Sequence, residues 1–300
     1  MVRIVFLCGG VGKRFHTSHL CKPLCMLYGT PMFVYTLKPF VEAGYSILIA
    51  YHQLLKDQGF ERQIKKMFPN GSFDFFEIPY LTQGAVETGL LAIQGCLSDE
   101  EPVVFFDNDA IYDLTVLSNL PKNCPFVGYS YIENPQNCYC YLEMDHTQVV
   151  KQIVEKQVIS HHYGIGVYGF HSQKYFIEQA KKLIECDYRM NGEFYFSALY
   201  DYLLKKGEVI KGLYFENPPK VLGTPKQVCL NLEPKQESRS FLVHPDVKDR
   251  YPDFIEKLES LGHTVKIEKL DYDFVIDDRA INPMVENWQK WLGFYHLDNI

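Results

Sequence analysis

The sequence predicts an α/β fold: a doubly wound, mostly parallel sheet flanked by helices, with a small α/β extension at the C-terminal end. Three observations carry this. Short apolar runs alternate with helix-period stretches through the first hundred residues, the βαβαβαβ rhythm of a parallel sheet. The run 102–106 is apolar throughout, as a strand covered on both faces would be. A Gly-rich turn follows the first strand and Asp107-Asn108-Asp109 follows the fourth. Both then lie at strand carboxyl ends, where sheets of this kind bind ligands.

The elements come in order. Residues 3–7 form an apolar strand. Residues 32–42 read as a helix closed by Gly44, and 46–51 as the second strand. Residues 58–68 read as a helix stopped by Pro69-Asn70-Gly71. Strand 73–78, helix 85–95 and strand 102–106 complete the rhythm. Segments 126–131, 139–144, 149–155 and 164–170 read as strands with short connections, a sheet extension carrying a second substrate. Helices are expected at 176–185 and 193–206, a strand at 212–215, and a turn at Gly223-Thr224-Pro225. The polar stretch 231–240 lacks periodicity and reads as a linker. That puts a domain boundary near 230: a main domain over 1–230 and an extension over 231–300. The extension holds a strand (240–243), a helix (251–261) and strands at 264–267 and 273–276, and is short for an independent core.

Composition narrows the function. The chain has 300 residues, 47% hydrophobic, and a formal charge of −7, which argues against a general nucleic-acid surface. No apolar run approaches the roughly 18–20 residues of a membrane span. The nine cysteines show no zinc spacing; Cys138-x-Cys140 and Cys21-x3-Cys25 are the closest pairs. With no signal peptide, the odd count reads as thiols in a reducing, cytoplasmic compartment.

The chemistry begins at Cys8-Gly9-Gly10-Val11-Gly12-Lys13-Arg14. A strand running into a glycine turn bares backbone N–H groups where no Cβ blocks approach, a cradle for phosphates. Lys13, Arg14 and Lys22 supply cations. Two better-known glycine motifs fail on residues. A Walker A loop needs Ser or Thr after Gly12-Lys13, and Arg14 stands there. A dinucleotide fingerprint needs a third glycine where Phe15 stands.

The full run is Gly9-Gly10-Val11-Gly12-Lys13-Arg14, then Lys22-Pro23-Leu24, then Gly29-Thr30-Pro31-Met32. It resembles the sugar-phosphate nucleotidyltransferases, or nucleotide-sugar pyrophosphorylases, over residues 1 to about 227. An incidental glycine turn would account for Gly9 to Gly12 alone. The resemblance implies a Rossmann-like nucleotidyltransferase sheet and a reaction between a nucleoside triphosphate and a phosphorylated sugar or related small molecule. It assigns Arg14, Lys22 and Asp109 to catalysis. It assigns Leu7, Gly9, Gly10, Gly12, Lys13, Gln83 and Gly84 to the nucleotide. Asp109, with Asp107 second, would hold Mg²⁺, which takes one or two carboxylates plus phosphate oxygens and waters.

Gln83-Gly84 precedes a helix, and its family counterpart approaches the base; Gln83 offers both an amide donor and an acceptor. The plainer alternative is a helix start capped by Thr82. Glu155-Lys156, Gly164 and Glu193 match the acceptor side. Glu193 at a helix start also complements the dipole.

Departures matter. Many members carry an acid two residues before Gly-Thr-Pro as a second metal ligand. Here Val221-Leu222 precede Gly223, so that role is missing or passes to Asp107 or Glu216. The tail resembles a degenerate haloacid-dehalogenase-like domain of the kind attached to capsule or surface-glycan enzymes. Asp277-Asp278 look like its closing piece, and His244 stands where the nucleophilic Asp belongs. An unrelated extension is the alternative. Two rival functions stay open: a cytidylyltransferase acting on a non-sugar phosphate such as phosphocholine, and a non-catalytic homologue that binds nucleotide sugars. A homo-oligomer stays open too.

Overall fold

The computed structural model describes residues 2–9, 21–95, 101–232, 240–243, 256 and 264–267. The chain divides into two compact units: Met1–Leu24 with Phe33–Lys220, and Cys25–Met32 with Val221–Ile300.

The first unit holds a nine-stranded sheet. Strand β1 (Arg3–Cys8) begins the chain, and two-residue strands β2 (Met26–Leu27) and β3 (Thr30–Pro31) belong to the second unit. Helix α1 (Met32–Glu42), strand β4 (Ser46–His52), helices α2 (Gln53–Asp57) and α3 (Phe60–Met67), strand β5 (Ser72–Ile78), helix α4 (Ala85–Gln94) and strand β6 (Val103–Phe106) come after them. Next come β7 (Ala110–Ile111), β8 (Phe126–Tyr131), β9 (Cys140–Met144), β10 (Val150–Glu155), β11 (His162–Phe170), α5 (Gln173–Glu185), α6 (Phe196–Lys205), β12 (Lys211–Tyr214) and β13 (Lys220–Val221).

Strands β5, β4, β1 and β6 pair in that order, all parallel. Beyond β6 the sheet changes sense: β11 runs antiparallel to β6, β8 and β9, and β9 to β10. β12 returns parallel to β8. The expected mostly parallel sheet and its extension are thus present.

Alternation along the strands builds the two layers. Phe6 and Phe106 face α1, where the Phe40 ring lies 5.1 and 4.7 Å from theirs. Val5 and Phe105 turn the other way into a core with α4, α5 and α6. There the Phe105 ring lies 4.7 Å from Phe176 and 4.9 Å from Phe196.

Two sequence expectations need correction. The helix expected over 58–68 starts at Phe60, because Gly59 takes a left-handed φ of +69°, and a separate short helix, α2, precedes it. The helix expected from Glu193 starts at Phe196. Residues 190–193 instead form a turn closed by Met190–Glu193 backbone bonds of 3.1 and 3.0 Å, and Phe194 is drawn into backbone pairing with residues 83–86.

In the second unit, β2 and β3 form a hairpin turning at Tyr28-Gly29, both at positive φ. The Gly223-Thr224-Pro225 turn opens helix α7 (Pro225–Asn231), with Thr224 Oγ1 accepting from the Gln227 N–H at 3.3 Å. Strands β14 (Ser240–Val243) and β15 (Thr264–Ile267) pair in parallel. The expected helix over 251–261 apart from Glu256, the expected strand over 273–276, His244 and Asp277-Asp278 lie outside the described residues.

Candidate active site

The carboxyl ends of β1 and β6 lie side by side in parallel register, from Arg3 opposite Val103 to Phe6 opposite Phe106. Two links join the β1 side to the β6 side. Asn108 donates its side-chain amide to the Leu7 carbonyl. Lys22 donates to the Asp109 carboxylate, an ion pair whose side chains are 15% and 21% exposed. Lys22 is held by its own turn: Leu24 N–H bonds Cys21 O at 2.8 Å, Cys21 N–H bonds Gln58 Oε1 at 3.1 Å, and Pro23 and Leu24 are buried. This cation is built into the fold.

Asp107 is exposed, and its N–H bonds the Gly166 carbonyl at 2.9 Å. Gly166 has φ +76°, and a Cβ there would lie 2.2 Å from Asp107 Oδ2. Only glycine satisfies both demands. Tyr112 Oη donates to Ile165 O and Gly166 O at 3.1 and 3.2 Å, fixing β11 where its register with β8 shifts. Burial first, then the Asp107 charge, holds the Tyr112 and Tyr168 hydroxyls well above the usual range, so both stay neutral. Burial pushes the Cys8 thiol up to about 12, with Asp109 adding and Asn108 and Lys22 opposing.

The donors near the strand end are oxygens, from Asp107 and Asp109. Among the described residues no group of three or more His, Cys, Asp or Glu could hold a metal. An ion here would complete its shell from phosphates and water, as Mg²⁺ does, so the donor set fits. Glu216 is exposed beyond β12.

Gln83-Gly84 meets a partner the sequence did not signal. Phe194 N–H donates to Gln83 O at 3.0 Å, and Val86 N–H donates to Phe194 O at 2.9 Å. Between them Gly84, at φ +153°, leaves no room: a Cβ would lie 2.5 Å from Phe194 N. The glycine permits this backbone-to-backbone approach. Gly84 itself is the N-cap of α4, and Thr82 bonds Thr88 Oγ1 at 2.6 Å instead of capping. Gln83 N–H donates to Glu87 Oε2 at 2.6 Å, and Gln83 Oε1 accepts from Arg189 Nη2 at 2.6 Å.

The acceptor-side residues converge in part. Lys156, at φ +58°, bonds Tyr139 O through its N–H at 2.8 Å. Its ammonium donates to Tyr195 Oη at 3.3 Å. The Tyr195 phenol is raised by burial first, lowered by Lys156 and raised again by a bond to Glu193. Glu155 Oε2 accepts from Ser197 Oγ at 2.9 Å. Gly164 sits in β11 opposite Tyr129, and a Cβ there would meet only ordinary contact, 3.5 Å from Cys140. Gly9 is tighter, with Ile78 and Thr88 atoms 3.2 Å from a Cβ. Gly10, Gly12, Lys13 and Arg14 lie outside the described residues.

Sequence reasoning missed Arg189, Asn108 as a strand-end stitch, and Ser197. Arg189 stands in no motif, and its partner Gln83 is 106 residues away.

No family model matches the chain, and no curated protein matches it in sequence. Solved structures do match in fold. A nucleoside-diphosphate-sugar pyrophosphorylase from Vibrio cholerae RC9 superposes with TM-score 0.64 at 19% identity, over 76% of this chain and 99% of that one. A UDP-glucose pyrophosphorylase complexed with UDP-glucose gives 0.63 at 16%, over 76% and 96%. The inositol-1-phosphate CTP transferase from T. maritima gives 0.60 at 14%, over 75% and 90%.

Proposed function

We propose that the protein is a nucleotidyltransferase. It would couple a nucleoside triphosphate to a phosphorylated sugar or related small molecule and release pyrophosphate, supplying an NDP-activated precursor for glycan assembly. The observation that carries this reading is the Lys22–Asp109 ion pair at the joint carboxyl end of β1 and β6. Two residues 87 apart bring a fixed cation and a carboxylate to the ligand-binding end of a parallel sheet.

In this reading an acceptor phosphate oxygen bonds to the α-phosphorus in line. The bond from that phosphorus to the bridging oxygen breaks, and pyrophosphate keeps the electron pair. The monoester is ionised at neutral pH, so no strong base is needed, and catalysis is positioning plus charge neutralisation. Lys22 meets the α-phosphate. Arg14, Lys13 and the amides of Gly9, Gly10 and Gly12 hold the β and γ phosphates. Lys156 holds the incoming phosphate, with Glu155 and Glu193 on its organic part. Asp109 and Asp107 would hold Mg²⁺, which supplies charge neutralisation on the phosphates. Residues 1–230 carry the reaction, and the tail carries no phosphatase chemistry.

A second reading, a non-catalytic homologue that binds nucleotide sugars, is favoured by one observation. Val221 and the fully buried Leu222 stand before Gly223, where the resemblance implies an acid. Pyrophosphate release from a panel of nucleoside triphosphates and phosphorylated acceptors separates the two. The transferase releases it with at least one pair; the binder releases none while still binding nucleotide sugar.

A further inference from the structure

We infer that Gln58, which stands in no motif, is the positioning residue for the Lys22 ammonium. This rests on the role proposed for Lys22 and names a further residue that the same site needs.

The argument starts from a buried N–H. Cys21, the residue before Lys22, is buried. A buried backbone donor left unmet costs free energy, so the chain has to supply an acceptor. Gln58 Oε1 supplies it at 3.1 Å, from 37 residues further along the chain. That bond fixes one side of the short turn Lys22–Leu24, and the Leu24 N–H on Cys21 O at 2.8 Å fixes the other. With its Cα anchored, Lys22 needs only its own side-chain rotamers to bring the ammonium to Asp109. Gln58 is itself held. Strand β4 runs parallel to β1, with Tyr51 opposite Cys8, so α2 leaves the sheet at the same end as the Gly9 turn. Gln58 closes the C-terminal end of α2. Gly59 then takes a left-handed φ of +69°, and α3 restarts at Phe60. A Cβ at Gly59 would meet only ordinary contact, with Arg62 at 3.5 Å, so glycine is needed there for the backbone angle alone. In an unbroken helix the Gln58 carbonyl would accept from the N–H four residues on. Here it accepts from Gln63 Nε2 at 2.9 Å, which pins the elbow from the α3 side. Gln58 thus acts on the site through the Cys21 N–H and the main chain of Lys22.

The test measures pyrophosphate release by the full chain with Mg²⁺, over a panel of nucleoside triphosphates and phosphorylated acceptors. The proteins are the wild type, Gln58→Met, Gln58→Ala, Gln58→Glu, Lys22→Ala, and Gln58→Met combined with Lys22→Ala. Gln58→Met removes the acceptor at nearly constant length. It should lower kcat about 10- to 100-fold, with a smaller change in the triphosphate KM, the scale of a catalytic group displaced by about 1 Å. Gln58→Ala leaves space for water to meet the Cys21 N–H. It should lose kcat in the same direction, which keeps the test decisive where Gln58→Met folds poorly. Gln58→Glu keeps an acceptor oxygen at the same reach and should restore most of the turnover. In the Lys22→Ala background, Gln58→Met should change kcat less than about twofold, because a residue acting through Lys22 has nothing left to position. A merely structural residue would cost the same factor in both backgrounds. The NMR signal of the Lys22 ammonium, assigned by its absence from Lys22→Ala, should shift in Gln58→Met and return in Gln58→Glu. Wild-type kcat in Gln58→Met and Gln58→Ala, an equal loss with and without Lys22, or a Gln58→Glu variant as impaired as Gln58→Met would overturn the inference. A wild type that releases no pyrophosphate with any pair refutes the enzyme reading, and the ammonium signal then decides the inference: shifted and restored upholds it, unchanged overturns it. Turnover that is indifferent to Gln58 upholds the enzyme reading and overturns the inference.

Discussion

Lys22 shows how a single residue is given a chemical task. Its turn is pinned by buried Pro23 and Leu24 and by Gln58, and its ammonium is aimed at Asp109. Lys22→Ala should lower turnover by about two to four orders of magnitude, the scale of one lost electrostatic stabiliser. The far-ultraviolet circular dichroism spectrum should be unchanged. Asp109→Asn removes charge at nearly constant shape and should abolish most of a divalent-ion-dependent activity, with Asp107→Asn milder; a reversed order would move the metal site to Asp107. Cys8 sits beside the same pair, yet burial pushes its thiol up to about 12. It should resist iodoacetamide at pH 8, where peptide mapping should find the exposed Cys138 and Cys186 labelled first. Lys22 and Asp109, which the structure pairs, stood out in the sequence because both are charges placed just after apolar strands. Arg189 did not, because its partner is Gln83, which only the folded chain brings near.

At the scale of elements, the close approaches make the sharpest claims. Gly166→Ala meets both a left-handed backbone and the Asp107 carboxylate. It should cost about 1–3 kcal/mol in urea unfolding. Gly164→Ala, in the same strand, meets ordinary contact and should cost under about 1 kcal/mol. The β9–β10 turn gives a pH prediction. Asp145 accepts from Lys151 Nζ, from Thr147 N–H and Oγ1–H, and from Val149 N–H, and its carboxyl lies well below the usual range, with the Lys151 bond the leading cause. A depressed carboxylate stabilises the fold above its unfolded pKa and loses that contribution as pH falls toward the folded value. The Tm gap between wild type and Asp145→Asn should be widest near pH 7 and shrink below about pH 4. Helix α1 and strands β14 and β15 match their sequence readings residue for residue, because apolar periodicity fixes them locally. The break at Gly59 and the late start of α6 were not legible. One turns on a backbone angle, and the other on Phe194 pairing with a loop distant in sequence.

At the scale of the molecule, the parallel half of the sheet was readable because βαβ units write their period into the chain. The antiparallel half was readable only as strands. Its order, with β11 joining β6, β8 and β9, rests on pairings between distant segments. Among the described residues no helix is long and apolar enough to cross a membrane. The tail should release no phosphate from p-nitrophenyl phosphate or sugar phosphates, since His244 cannot form an acyl phosphate; metal-dependent release lost on deleting residues 231–300 would show a working hydrolase there. The most direct test of the whole account is pyrophosphate release by the full chain with Mg²⁺. It would be measured for ATP, CTP, GTP, UTP and dTTP against a panel of sugar 1-phosphates and phosphorylated alcohols, with Lys22→Ala in parallel. The account predicts release with a defined pair of substrates, and its loss in the variant. Binding of nucleotide without release for every pair, or wild-type turnover in Lys22→Ala, would contradict it.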